Sequence, residues 1–289
     1  MASTANRVIK NTSYLYIKMG ITMFISLYIT RLILNSLGAS DFGIFNIVGG
    51  AISMLAFLNG SMAAATQRFM SYAEGENNES KKIVIFNSSI VLHLIIALFV
   101  GVLLEIGAFF LFDGVLNIPE NRISSAKIIY HCAVLSTIFT ILTVPYDAVI
   151  NAHENMLYYA AVGVFESFLK LATAFIVVYT LSDKLIVYGI FTAITALIIQ
   201  LVMRIYCIRH YPECRLSLRN TVDFGILKEM TIFAGWNALS SILGVLSQYG
   251  MGVVLNHFFG TIVNAAQGIA NQISGQLGAL SSNAMKAVN

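Results

Sequence analysis

Eight runs of predominantly apolar residues, each long enough to cross a bilayer, constrain this chain more than any other feature. A membrane-spanning helix needs about 20 such residues, and in lipid every backbone polar group must find its partner within the protein. The runs lie at about 13–37, 42–65, 83–112, 126–150, 157–181, 185–207, 231–258 and 262–288. Polar turns separate them, several marked by Gly, Pro or Asn. Only 11% of the residues are charged, against about 25% in a soluble domain, and the mean hydropathy is +0.78. The pattern predicts an all-α fold, a polytopic transmembrane bundle of about eight helices. The N-terminal apolar run is too long for a signal peptide and has no small-residue cleavage site, so it is expected to stay as the first helix.

Lys and Arg set the expected orientation. With a cytoplasmic N-terminus, Arg7, Lys10, Arg68, Lys81, Lys82, Arg204, Arg209, Arg215, Arg219 and Lys228 lie inside. The outer turns then hold only Arg122, Lys127 and Lys184. A weak internal repeat accompanies this arrangement. A shift of 221 residues, without gaps, lays Leu34-Asn35 on Leu255-Asn256, Tyr28 on Tyr249 and Ser26 on Ser247. Duplicated halves are common in transporters. The expected organisation is a six-helix lobe at 1–207, a basic connector at 208–230, and the first two helices of a second lobe at 231–289. On that basis the chain is expected to be the front part of a longer one, the alternative being that two short chains pair.

Ionisable residues inside a membrane are costly and usually face a bundle interior or a watery cavity. Arg31 either snorkels to the interface or faces a cavity. Glu105, a poor snorkeller, is expected to face inward, where it could pair with Arg31. Glu166 and Lys170 stand at i and i+4 in the favourable order. They form either a self-neutralised pair or a cavity lining for an anionic ligand or a coupling ion. Pro145 removes a backbone hydrogen bond and is expected to kink the fourth helix, making Pro145 and Asp147 a hinge. Asn237, Ser241, Gly244 and Gln248 form one polar or small stripe. Asn264, Gln267, Asn271 and Ser274 form another. Such stripes serve tight helix packing or a water-filled wall suited to sugar hydroxyls.

Catalytic constellations are absent from the sequence. It holds no phosphate-binding glycine loop followed by Lys and Ser or Thr, and no dinucleotide fingerprint. No basic patch interleaves with aromatics, so no nucleic-acid partner is expected. His153-Glu154 is a weak metal signal and no metal is assigned. The cysteines Cys132, Cys207 and Cys214 have no metal-ligand spacing and are expected to be free thiols. No enzyme and no cofactor are expected.

The run Pro145-Tyr146-Asp147-Ala148-Val149-Ile150-Asn151-Ala152-His153-Glu154 resembles bacterial polysaccharide flippases of the MOP superfamily, the Wzx-like O-antigen and exopolysaccharide exporters. Leu169-Lys170-Leu171, Leu37-Gly38, Asp41-Phe42-Gly43 and Ala65-Thr66-Gln67-Arg68 add to the resemblance, which spans essentially the whole chain. It implies a MATE/MOP-like fold of two lobes around a cavity that opens alternately to each side of the bacterial cytoplasmic membrane. The implied cargo is an oligosaccharide on undecaprenyl pyrophosphate. Arg31 and Lys170 would receive its anionic part, and H⁺ or Na⁺ could couple through Glu105 or Glu166. The implied partners are membrane lipids, a polysaccharide polymerase and a chain-length regulator. A multidrug antiporter of the same superfamily, a non-transporting scaffold of a glycan-assembly complex and a membrane glycosyltransferase are the other expectations.

Overall fold

The computed structural model describes residues 2–53, 55–215 and 222–288. Among the residues singled out above, Arg219 and the side chains of Arg7, Ser241, Gly244 and Gln248 lie outside the described set. The described residues are helical almost throughout, as α1 (Ala2–Ser53), α2 (Ala56–Gly75), α3 (Glu79–Phe110), α4 (Ile123–Ala152), α5 (Met156–Tyr179), α6 (Lys184–His210) and α7 (Phe224–Val288). Short polar side chains start four of them. Asn78 accepts from the Lys81 N–H, Asn155 from Tyr158, Asp183 from Leu185 and Ile186, and Asp223 from Gly225 and Ile226. Each cap satisfies backbone donors that the first helical turn leaves without partners.

Five stretches of the described residues are long and apolar enough to cross a membrane. The path makes more passes than that, because α1 and α7 each contain a sharp bend. A straight helix of the 52 residues of α1 would span about 78 Å, more than twice the hydrocarbon core. Gly38 divides it, at φ 76° and ψ 168°. Gly260 divides α7 in the same way, at φ 76° and ψ −169°. This backbone region is essentially open to glycine alone. With both bends counted, and with the second half of α1 and α2 taken as one passage across Leu55, the expected eight helices are present, and the structure is an all-α transmembrane bundle.

The two bends also make the internal repeat physical. Gly38 and Gly260 are 222 residues apart, one more than the gap-free shift that aligns Leu34-Asn35 with Leu255-Asn256. The residues that follow each bend pack against one another. The Ser40 and Thr261 hydroxyls lie 3.4 Å apart, and a Cβ on Gly43 would collide with the Thr261 carbonyl. Gly38→Ala and Gly260→Ala should each lower stability by about 1–3 kcal/mol, the cost of holding a side chain in that region. Thermal unfolding in detergent measures it. A Gly38→Ala chain that melts with the wild type would remove the bend from the list of glycine-dependent features.

α4 runs through the centre. Its upper part joins a cluster around Ile44, Val48, Leu104, Ile129 and Tyr130. Its lower part joins a second around Phe86, Tyr146, Val149, Met203 and Cys207. The helix continues unbroken through Pro145 and Asp147 to Ala152, with Pro145 buried among its neighbours. The chain turns only at His153–Asn155, where Glu154 takes φ 53°. All three cysteines are free thiols.

The bundle has two distinct ends. One gathers the α2–α3 turn, the α4–α5 turn and the connector after α6, joined by contacts such as His153 with Glu74 and Glu213. The other gathers the Gly38 bend, the α3–α4 turn and the α5–α6 turn around Arg122. The Arg122 guanidinium forks onto two carboxylates, at 2.5 and 2.9 Å from the Asp41 oxygens and 2.7 and 3.0 Å from those of Asp183. Ser125 donates to Asp183 as well, at 2.8 Å. Burial works to raise the Asp183 carboxyl, but the hydrogen bonds from Arg122 and Ser125 outweigh it and hold it below the usual carboxylate range.

Candidate functional site

A cavity of about 560 Å³ is of the size that small-molecule sites occupy. It lies between both halves of α1, α5 and α6, and one residue of α7 adds to its wall. The i, i+4 spacing of Glu166 and Lys170 puts both on the wall, with Nζ 2.6 Å from Oε1. Lys18 of α1 joins them. Its ammonium stands 3.9 Å from the centroid of the Tyr159 ring, a cation–π contact. The stem of Lys18 lies across Gly163, where any Cβ would collide with it. Asp147 is close enough to feel the charges of Lys18 and Glu166. The charged part of the cavity is therefore built from α1, α4 and α5 together.

Hydroxyl and amide groups, among them Thr22, Ser26, Thr30, Asn46, Ser167, Thr192 and Gln272, share the rest of the wall with apolar side chains such as Ile29, Ile33, Phe42 and Phe45. Gln272 of α7 accepts from Thr30 at 2.5 Å and donates to the Ser26 hydroxyl at 2.8 Å. This three-residue knot ties α7 to α1 at the cavity wall. A second, smaller cavity of about 260 Å³ adjoins it, and Phe45 and Asn46 line both. Its wall carries Asn264, Gln267 and Asn271. Gln267 donates to Asn271 at 3.2 Å. Asn264 is 3% exposed and its Nδ2 has no hydrogen-bond partner.

Thus Glu166, Lys170, Asn264, Gln267 and Asn271 fall on two adjoining cavities, whereas Arg31, Glu105 and Asn237 line neither, and the Gln248 side chain lies outside the described residues. Arg31 is exposed. Ile29, Thr30 and Ile33 share the inward face of α1, and the 100° helical step turns Arg31 away from it. Glu105 is half-exposed, and its carboxylate meets His131 Nδ1 of α4 at 3.0 Å. The expected Arg31–Glu105 pair is thereby corrected: the partner of Glu105 is His131. Asn237 donates back to the Phe233 carbonyl of its own helix, at 3.2 Å, and is not on either cavity wall. Sequence reasoning missed Lys18, Asn46 and Gln272. Lys18 carried a usable signal, being a cation well inside the first apolar run. Asn46 and Gln272 carried none beyond their polarity.

No protein-family model matches the sequence, and no curated protein matches it either. Solved structures do. The MATE multidrug transporter DinF-BH superposes with a TM-score of 0.82 at 14% identity, over 98% of this chain and 63% of that one. An outward-facing multidrug resistance MATE family transporter of the MOP superfamily gives 0.66 at 14% identity, over 98% of this chain and 68% of the other. A MOP superfamily transporter from Pyrococcus furiosus, described as having a binding pocket of reverse polarity, gives 0.64 at 13% identity, over 96% and 68%. The chain thus spans less than two thirds of the length of DinF-BH. At these identities the likeness is one of architecture. The chain has the multi-pass membrane fold seen in MATE transporters of the MOP superfamily.

Proposed function

We propose that this chain provides the cargo-binding lobe of a transporter that moves a lipid-linked oligosaccharide, such as a repeat unit on undecaprenyl pyrophosphate, across the bacterial cytoplasmic membrane. The N-terminus and the connector end face the cytoplasm. The observation that carries this reading is that Lys18 of α1 and Lys170 of α5 line one cavity, with hydroxyls and amides around them. Ammonium groups are strong donors to phosphate oxygens. Ser, Thr, Asn and Gln offer both donors and acceptors, as sugar hydroxyls require. The adjoining amide-lined cavity gives room for sugar residues beyond the charged group. Transport then proceeds by alternating access, with no bond made or broken.

A deletion strain tests the proposal. Loss of surface glycan with lipid-linked intermediates accumulating inside supports it, provided that the gene restores both. Unchanged glycan with altered dye export sinks it. That second outcome belongs to a cation-coupled multidrug antiporter, which one specific observation favours: Glu166 lines the same cavity, with Asp147 nearby.

A further inference from the structure

We propose that Glu74, His153 and Glu213 form a site for a divalent transition metal of the Zn²⁺ type, which clamps the connector after α6 onto the six-helix lobe. The three residues come from the end of α2, the α4–α5 turn and the short 3₁₀ turn Pro212–Cys214. Their ligand atoms all lie within 4.8 Å of one another. One imidazole and two carboxylates are a donor set that Zn²⁺ and its neighbours in the first transition row accept.

The surroundings are those of a held ligand set. Glu74 presents Oε1 to His153 Nδ1 at 3.3 Å, while its other oxygen is fixed by Lys82 at 2.8 Å. Lys82, 3% exposed, is anchored in turn on Glu79 at 2.6 Å. A metal-binding carboxylate is commonly oriented in this way, through its second oxygen. The His153 ring is stacked on Tyr211, centroids 4.4 Å apart and 11° from parallel. Its Nε2 lies 2.5 Å from Glu213 Oε1, so without an ion the two carboxylates bracket opposite ring nitrogens, and an ion held by one nitrogen draws the other carboxylate across to it.

Glu213 supplies the independent sign of a missing ligand. It is 1% exposed, and its second carboxylate oxygen, Oε2, is buried with no hydrogen-bond partner. Such orphaned acceptors are costly, and an ion is one of the few things that account for them. Charge points the same way. The carboxylates of Glu74, Glu79 and Glu213 surround one ammonium and one imidazole, so a divalent cation reduces the excess of negative charge.

None of the three residues lines the cavity, and the site is tested without transport. Tag-free chain is purified in detergent, stripped with chelator, exposed to Zn²⁺ or Co²⁺ and desalted. The expected result is one retained equivalent per chain, with a raised melting temperature. Co²⁺ should give a visible ligand-field spectrum that Zn²⁺ abolishes. His153→Gln and Glu213→Gln should each weaken Zn²⁺ binding by at least about tenfold, the loss that removing even an outer partner produces. Retention unchanged in both variants overturns the proposal. Should either variant fail to fold, the wild-type Co²⁺ spectrum decides alone. Its absence leaves the cluster as a proton-bridged ion network.

Discussion

A chain carrying Lys18→Ala and Lys170→Ala together is expected to lose export of lipid-linked oligosaccharide by at least two orders of magnitude while reaching the membrane at wild-type abundance. A hydrogen bond from a charged donor contributes about 1.5–3 kcal/mol, and about 1.4 kcal/mol is a factor of ten. Each lysine alone should therefore account for about 10- to 100-fold. The measurement is the ratio of lipid-linked intermediate inside to glycan at the surface, normalised to protein amount. Gly163→Val should mimic part of the Lys18 effect without removing a charge, because its side chain displaces the Lys18 stem. Arg31→Ala is the matched control. It removes an equal charge from the exposed side of α1 and should leave export intact. Full export by the double variant would end the anionic-cargo reading. Dye efflux abolished by Glu166→Gln, with glycan export untouched, would establish the antiporter instead.

Replacing Arg122 with methionine is expected to cost about 3 kcal/mol of stability. Breaking a buried ion pair by removing one partner costs about 3–5 kcal/mol, because the other charge is left uncompensated. The lower end applies, since the Arg122, Asp41 and Asp183 side chains remain 23%, 19% and 27% exposed. Here two carboxylates would be left facing each other at the junction of the Gly38 bend with the α3–α4 and α5–α6 turns. The melting temperature should fall by on the order of 5–10 °C, and Asp41→Asn in the same chain should recover part of the loss.

Acid should act on the two proteins in opposite directions. In the wild type Asp183 is held below its unfolded value. Its contribution is complete above about pH 4, the ordinary carboxylate value, and is lost as the pH falls through the lower folded value. Without Arg122 the two carboxylates raise one another, so mild acidification relieves repulsion and narrows the gap between variant and wild type. Parallel melting curves from pH 7 down to pH 3 would show this. A gap that widens on acidification would contradict the ion-triad account.

Much of the fold could be read in the sequence because membrane helices announce themselves in one dimension. The eight apolar runs are long, and the turns between them carry the caps Asn78, Asn155 and Asp183 within a few residues of where helices begin. Gly38 ends the first apolar run, as its position predicted, and Gly260 ends the seventh in the same way, one residue off the gap-free repeat. What local chemistry did not show was the setting: Pro145 lies buried within α4, among neighbours from other helices.

The candidate site divides in the same way. Glu166 and Lys170 were visible as a pair, because one helical turn in the sequence is one helical turn in space. Their neighbour Lys18 comes from α1, and the Gln272 on the cavity wall comes from α7, 254 positions further along the chain. His153 looked like an isolated histidine next to Glu154, whereas its partners are Glu74 and Glu213.

The sequence by itself determined that this chain lives in a membrane, as helices, with very few charges to place. Those properties follow from composition and from a periodicity that neighbouring residues share. Only the tertiary structure decided which charges meet. In a bilayer the apolar faces of the helices attract lipid and protein almost equally. The choice of neighbour is therefore made by close packing at glycines and by a few polar contacts such as Arg122 with Asp41 and Asp183, and no single stretch of chain contains either.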